Sequence, residues 1–342
     1  MTNILLNIIP ENKIADVQHA LSVAFSRADV DQIELLAGGL SSALVYKIAI
    51  DGQKYVLRIV MNVDDFNDPK RQYHCMELAA TAKLAPRVYY ADPDTAVAIT
   101  GFIAAKPLID HYPNRSELLT LLVQNIKKIH SLPLFPKVID FIDGVNIFIQ
   151  LYQQLNVFPG ELTADCFELY RQITAVYRCN DQDIVSSHND LNPNNLLFDG
   201  RELWIIDWET AFQNDRYADL AIIAQFFAQD KKQEEVILKE YFGSALNDHH
   251  RARFYLMQQV CYMYYAMIML RIASAQRAPG FKHDSDMEVP SLQAFRTAVA
   301  NGEASMTSYE GQLMYGKVLL MTILRNLRSP AFSRALEQAA TG

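Results

Sequence analysis

The chain has 342 residues, half of them apolar and a fifth charged, with a formal net charge of −8. That length exceeds what one hydrophobic core usually serves and predicts two lobes. The acidic balance speaks against a nucleic-acid binder, which presents a basic face; it suits a solvated acidic surface and is compatible with a cationic small-molecule substrate. The four cysteines, Cys75, Cys166, Cys179 and Cys261, form no C-x-x-C pair, so neither a zinc site nor a disulfide framework is expected. The opening MTNILLNIIPENK has no basic region or cleavage pattern of a signal peptide. The longest apolar run, VCYMYYAMIML, is too short to span a bilayer. The expectation is a cytoplasmic protein with reduced thiols and no membrane insertion, monomeric or homodimeric.

Apolar residues at helical spacing predict a helix over 13–27. The stretch IELLAGGLSSALVYKIAIDGQKYVLRIV has strand-like residues, a Gly38-Gly39 break and a hairpin signal at Asp51-Gly52, which makes about three antiparallel strands. A helical segment around 68–84 carries Glu77. PRVYYADPDTAVAITGFI reads as two more strands turning at Asp92–Asp94. The sum is a five-stranded antiparallel sheet with a helix or two. After AAKPL the pattern changes. Asn114 with Glu117 three residues later resembles a capping box, and Leu118, Leu122, Ile126 and Ile129 then share one helical face. The expected organisation is an α+β chain with a lobe over 1–104 and a larger, mainly helical lobe over 105–342.

The helical half is interrupted by VSSHNDLNPNNLLFDGRELWIIDWETAF, residues 185–212. Asp199-Gly200 separates two short apolar runs and reads as a hairpin turn. A hairpin returns the chain to its start, so Asn195 before the outgoing strand and Asp207 after the returning one should be neighbours. Asp190 lies in the loop feeding the same end. A carboxylate and an amide oxygen suit a hard cation such as Mg²⁺, which fills the rest of its shell from water and phosphate. A second carboxylate, Asp190, is left to orient a hydroxyl and accept its proton. Metal, positioned nucleophile and charge neutralisation are the parts of phosphoryl transfer. If the strand persists past Asp207, Glu209 faces the same side; it would assist the metal or a substrate cation.

HNDLNPNN and IIDWE together resemble the aminoglycoside phosphotransferase and choline kinase superfamily, whose members carry an H-x-D-x-x-x-x-N loop and an I-D-[WF]-E strand. LLAGGLSSALVYKI is similar to that family's glycine loop, YVLRI to its nucleotide-side strand, AITGFIAAKPL to its hinge, NIKKIHSLPL to its L-H-x-L helix and NDRYADLA to the segment after the metal aspartate. The resemblance runs in order from about residue 30 to 230 and implies a bilobal, protein-kinase-like fold using ATP and Mg²⁺. Gly38, Gly39, Ser41 and Ser42 are then expected on the nucleotide phosphates, where backbone N–H groups can approach closely. The choline-kinase branch often has Thr-Asn where Ser41-Ser42 stands. Arg58 would grip phosphate oxygens, with Glu77 as the helix partner that aims it. Thr100, Phe102 and Ile103 would meet the adenine. His188 is expected to hold the catalytic loop, Asp219 to pin backbone and Trp208 to lie in the core.

FYLMQQVCYMYYAMIML, residues 254–270, is apolar on nearly all faces and therefore buried. Tyr255, Tyr262 and Tyr265 stripe it. They are read either as lobe core or as an aromatic wall for an ammonium head group. The favoured acceptor is choline, ethanolamine or a related amino alcohol, on VLR, HND and the tyrosine-rich lobe. An aminoglycoside is the runner-up, although the last hundred residues hold only the small acidic group Asp284, Asp286 and Glu288. Methylthioribose, thiamine and homoserine remain open as acceptors. A non-catalytic pseudokinase is disfavoured by the intact Asp190, Asn195 and Asp207. A protein kinase is disfavoured because D-F-G and A-P-E segments are missing.

Overall fold

A computed structural model describes residue 5 and residues 8–36, 43–64 and 67–340. Gly38, Gly39, Ser41 and Ser42 lie outside the described residues. The chain divides into two compact units, Met1–Val138 with Val185–Gln213, and Ile139–Ile184 with Asn214–Gly342.

The first unit is built on α1 (Ile14–Phe25) and the strands β1 (Gln32–Leu35), β2 (Leu44–Ile50), β3 (Gln53–Ile59), β4 (Val88–Asp92) and β5 (Val97–Gly101), with α2 (Pro69–Thr81) between β3 and β4. The strands form one antiparallel sheet in the order β1-β2-β3-β5-β4. The β2–β3 turn is the expected Asp51-Gly52 pair. Both residues have positive φ, 50° and 76°, the geometry that lets a two-residue turn match strand twist. Val17, Ala20 and Leu21 of α1 share a core with Ile48 and Ile50 of β2, Leu57 and Ile59 of β3, and Val97 and Ile99 of β5. Pro69 opens α2 behind the cap Asp68, whose carboxylate accepts from the Lys70 and Arg71 amides.

After a short α3 (Leu108–His111), α4 (Arg115–His130) begins where the capping signal placed it. The Asn114 side chain accepts from the Ser116 amide, and its Nδ2 donates to Glu117. The remaining helices are α5 (Phe141–Leu155), α6 (Ala164–Val176), α7 (Arg216–Phe227), α8 (Lys231–Phe242), α9 (Asp248–Ala275), α10 (Leu292–Ala300), α11 (Tyr309–Leu327) and α12 (Pro330–Ala340). In the second unit α9 is the central element, packed against α5, α7, α11 and α12. Its burial on nearly every face explains the missing amphipathic pattern in its sequence. The interrupting segment forms β6 (Ile184–Ser187), β7 (Leu196–Phe198), β8 (Leu203–Ile205) and β9 (Phe212–Asp215). A five-stranded antiparallel sheet with a helical majority is the fold class expected. No helix among the described residues is long and apolar enough to cross a membrane.

Candidate active site

β7 and β8 pair antiparallel, Leu196 opposite Ile205 and Phe198 opposite Leu203. Asp199 builds the turn between them: Oδ1 accepts from the Arg201 and Glu202 amides and Oδ2 from the Trp204 indole. Gly200 has φ of 103°, which favours glycine. The hairpin brings Asn195 and Asp207 together as its spacing implies, for the Ile206 amide donates to the Asn195 carbonyl at 3.0 Å.

His188 is fully buried and bonds to both the Asp190 loop and the returning strand. Its Nε2 lies 3.0 Å from the Ile206 carbonyl, and its Nδ1 faces the Asp190 amide at 3.3 Å. A carbonyl only accepts and an amide N–H only donates, so the ring is the neutral tautomer with its proton on Nε2. One imidazole thus ties Asp190 to the residue preceding Asp207. Asn192 and Asn195 each donate from Nδ2 to Asp190 Oδ2 at 3.0 Å, and Asn195 also reaches the Asp190 carbonyl at 2.9 Å. Its amide nitrogen is committed to those acceptors, which leaves Oδ1 as the side-chain atom with lone pairs to offer a cation.

Asp207 has φ of 64° and ψ of 63°, a left-handed conformation that Asp tolerates better than most residues. It ends the extended run. The chain then enters a 3₁₀ turn, Trp208–Thr210, so the strand that was to align Glu209 with Asp207 does not persist. The two carboxylates nevertheless converge, because a turn after a left-handed residue folds position 209 back. Arg58 of β3 bridges them, Nη1 to Asp207 at 3.0 Å and Nη2 to Glu209 at 2.6 Å. Burial alone pulls the guanidinium down, and the two carboxylates more than restore it, leaving its pKa raised.

This corrects the partner expected for Arg58. Glu77 is exposed on α2, and the carboxylates aimed at Arg58 are those of Asp207 and Glu209. The α2 side chains turned inward are Arg71, Gln72, Tyr73, Cys75 and Ala79. Arg71, Cys75 and Ala79 stand at helical spacing, so a charged residue on an apolar stripe was the available signal for Arg71. Asn189 and Asn192 were also missed. Asn189, left-handed at φ of 65°, donates to the Thr210 carbonyl at 2.9 Å, and the Thr210 hydroxyl donates to the His188 carbonyl at 3.0 Å.

Thr100 lies in β5 opposite Val56 and Val88. Phe102 and Ile103 follow it half-exposed, with Lys47 Nζ 5.9 Å from the Phe102 ring centroid. Shortly after, the Lys106 amide donates to the Phe198 carbonyl at 2.7 Å, joining this segment to the hairpin. The tyrosine stripe belongs to the second unit. Tyr262 and Tyr265 are 9% and 6% exposed, Tyr265 meets Phe226 edge-on, and Tyr255 donates to the Asn326 carbonyl. Tyr262 and Tyr265 are buried in packing contacts, whereas Tyr255 is half-buried with Lys231 Nζ 5.5 Å from its ring centroid. Asp219 is fully buried on α7, and Trp208 is core at 4% exposure.

The donors fit a hard divalent cation. Asn195, Asp207 and Glu209 offer oxygen only, and a positive group, Arg58, already sits between the two carboxylates. Among the described residues no three His, Cys, Asp or Glu side chains converge as a closed cage. An ion here would therefore complete its shell from water and phosphate.

The chain is similar to Protein LicA of Haemophilus influenzae, 25% identical over 229 residues, which are 64% of this chain and 64% of that protein's length. A crystal structure of a choline/ethanolamine kinase family protein from Mesorhizobium loti superposes with a TM-score of 0.65 at 20% identity, covering 96% of this chain and all of that one. Spectinomycin phosphotransferase APH(9)-Ia, in complex with ADP and spectinomycin, superposes with a TM-score of 0.56 at 14% identity, covering 95% and 97%. At such identities the structures speak for the fold, a protein-kinase-like one. The family model described as the phosphotransferase enzyme family matches residues 32–255, and the chain belongs to that family.

Proposed function

We propose that the protein transfers the γ-phosphoryl group of ATP, with Mg²⁺, to a hydroxyl of choline, ethanolamine or a related amino alcohol. The observation that carries the reading is the pair of adjacent sites, Asp190 held by Asn195 and Asp207 beside Glu209 on Arg58, whose loops His188 ties together. Asp190, held by two amide donors, orients the acceptor hydroxyl and takes its proton. Asn195 and Asp207, assisted by Glu209, would hold the metal. When bound, that ion neutralises charge on the transferring phosphoryl group. Arg58 moves from the carboxylates to phosphate oxygens, a ligand its planar fork matches equally well. Thr100, Phe102 and Ile103 receive the adenine, and by family resemblance Gly38, Gly39, Ser41 and Ser42 cover the phosphates. The functional lobes are 1–104 for nucleotide and 105–342 for catalysis and acceptor.

The amino-alcohol acceptor is supported by the net charge of −8, the VLR and HND motifs, and the similarity to LicA and to a choline/ethanolamine kinase family protein. The test is ATP consumption by purified protein with Mg²⁺ and one acceptor per assay: choline, ethanolamine, methylthioribose, thiamine, homoserine or kanamycin. Turnover with choline or ethanolamine is expected. Turnover with kanamycin alone would move the protein to the aminoglycoside branch, and turnover with one of the others alone would replace the amino-alcohol acceptor.

A further inference from the structure

Arg71 lies on the buried stripe of α2 and is 5% exposed. Its Nη1 donates to two main-chain carbonyls of the metal-side turn, Glu209 at 2.8 Å and Ala211 at 2.7 Å. Cys75, one helical turn on, points its Sγ at the same Ala211 carbonyl at 3.7 Å. Burial pulls the guanidinium below its ordinary pKa, so the environment does not favour charge for packing's sake. A Leu or Met would fill that stripe without desolvating a cation. What a guanidinium adds is directed, charge-assisted donation to fixed acceptors.

Those two carbonyls flank Thr210. The chain between Asp207 and Ala211 carries both carboxylates through a left-handed residue and a single 3₁₀ turn. Other bonds on it are Ala211 amide to Trp208 carbonyl at 3.2 Å, Trp208 indole to Ile205 carbonyl at 3.0 Å, Asn189 Nδ2 to Thr210 carbonyl at 2.9 Å and Thr210 hydroxyl to His188 carbonyl at 3.0 Å, none of which reaches α2. A backbone in a sparsely populated conformation persists only where its surroundings over-determine it.

We infer that Arg71 is a positioning residue, which fixes the 207–211 turn to α2 and thereby sets where the Asp207 and Glu209 carboxylates meet a metal-bound nucleotide. Arg58 grips the two side chains, and Arg71 grips the backbone beneath them. The metal role of those carboxylates rests on the phosphotransferase reading; the hold on the turn does not.

The test uses Arg71→Met and Arg71→Lys in the full chain, with two readouts. The first is hydrogen exchange of amides 206–211 without nucleotide, with amides of α4 as the internal reference for folding. Arg71→Met should accelerate exchange in that turn by about tenfold or more and leave α4 unchanged. Arg71→Lys, which retains a charged donor, should fall between it and the parent protein. The second is the Mg²⁺ concentration for half-maximal turnover, expected to rise about tenfold in Arg71→Met with kcat at saturating Mg²⁺ little altered. Unchanged exchange in the turn would overturn the clamp. Faster exchange with an unmoved Mg²⁺ requirement would overturn the positioning role and leave a structural one. If the parent protein consumes no ATP with any acceptor, the phosphotransferase reading fails instead, and exchange alone decides whether Arg71 holds the turn.

Discussion

Two of the arginine–carboxylate clusters among the described residues, one in each compact unit, are built differently. In the first, Arg58 bridges Asp207 and Glu209 with side chains about a fifth to a quarter exposed. In the second, Arg253 meets Asp215 at 2.8 Å and Asp183 at 3.3 Å, with Arg253 and Asp215 side chains only 5% and 3% exposed. Arg253 also lies 4.3 Å from the Tyr177 ring centroid, and Tyr177 donates to Asp215. Asp215 caps α7 through the Tyr217 amide. Every partner of the second cluster is a fixed protein group. The first is partly open to solvent, and its carboxylates stand on a left-handed residue, Asp207, and in the short turn that follows it, Glu209. A sealed ion pair specifies a packing arrangement. A partly open one has charges that a ligand can take over.

Substitutions sharpen that contrast. Asp207→Asn keeps a residue that tolerates the left-handed conformation and removes only the charge. It should lower Mg²⁺-dependent turnover by about three orders of magnitude, the scale of one lost electrostatic partner of a transition state, with the folding midpoint nearly unchanged. Near-normal turnover would remove Asp207 from the metal site. Arg253→Met should act oppositely. It strands the buried Asp215 charge and should destabilise the protein by about 3–5 kcal/mol in denaturant titration, and a loss below 1 kcal/mol would show the cluster is not sealed.

Arg58→Met should reduce turnover by about tenfold to a hundredfold, yet change stability by less than about 1 kcal/mol, because a partly exposed pair contributes little. A large stability loss there would erase the distinction between the clusters. The smallest effect is expected at Asp199, whose replacement by Ala removes acceptors for two amides and an indole and should cost about 1 kcal/mol. The Glu202 amide and the Trp204 indole hold the Asp199 pKa below its ordinary value. Its stabilisation is therefore present above the unfolded-chain pKa of about 3.9 and fades as pH falls through the lower folded value. The cost of Asp199→Ala should shrink between pH 5 and about pH 2, and a pH-independent cost would contradict that carboxylate's role in the turn.

The sheet and its turns were legible because period-two runs and Asp-Gly pairs are local signals: Asp51-Gly52 and Asp199-Gly200 each sit where strand pairing turns. The hairpin also made the juxtaposition of Asn195 and Asp207 readable, since strand return is a geometric consequence of spacing. Other features depended on distant contacts. Glu77 was expected as the helix partner of Arg58 by resemblance to kinases, but partner choice follows which face of α2 turns inward, and that face carries Arg71 and Cys75. Glu209 was placed correctly beside Asp207 for the wrong local reason, a continuing strand instead of a left-handed residue and a 3₁₀ turn. The tyrosines of α9 could not be sorted into wall or core, because a helix buried on all sides has no polar face to orient it.

The most direct test of the phosphotransferase account separates binding from chemistry at Asp190. MgATP affinity of Asp190→Ala is measured by calorimetry beside turnover with the acceptor the parent protein accepts. The account predicts MgATP affinity within about threefold of the parent, because Asp207, Asn195 and Arg58 remain, and turnover lower by about two to four orders of magnitude. Parental turnover in Asp190→Ala would contradict the assignment of Asp190 as the group that positions and deprotonates the hydroxyl.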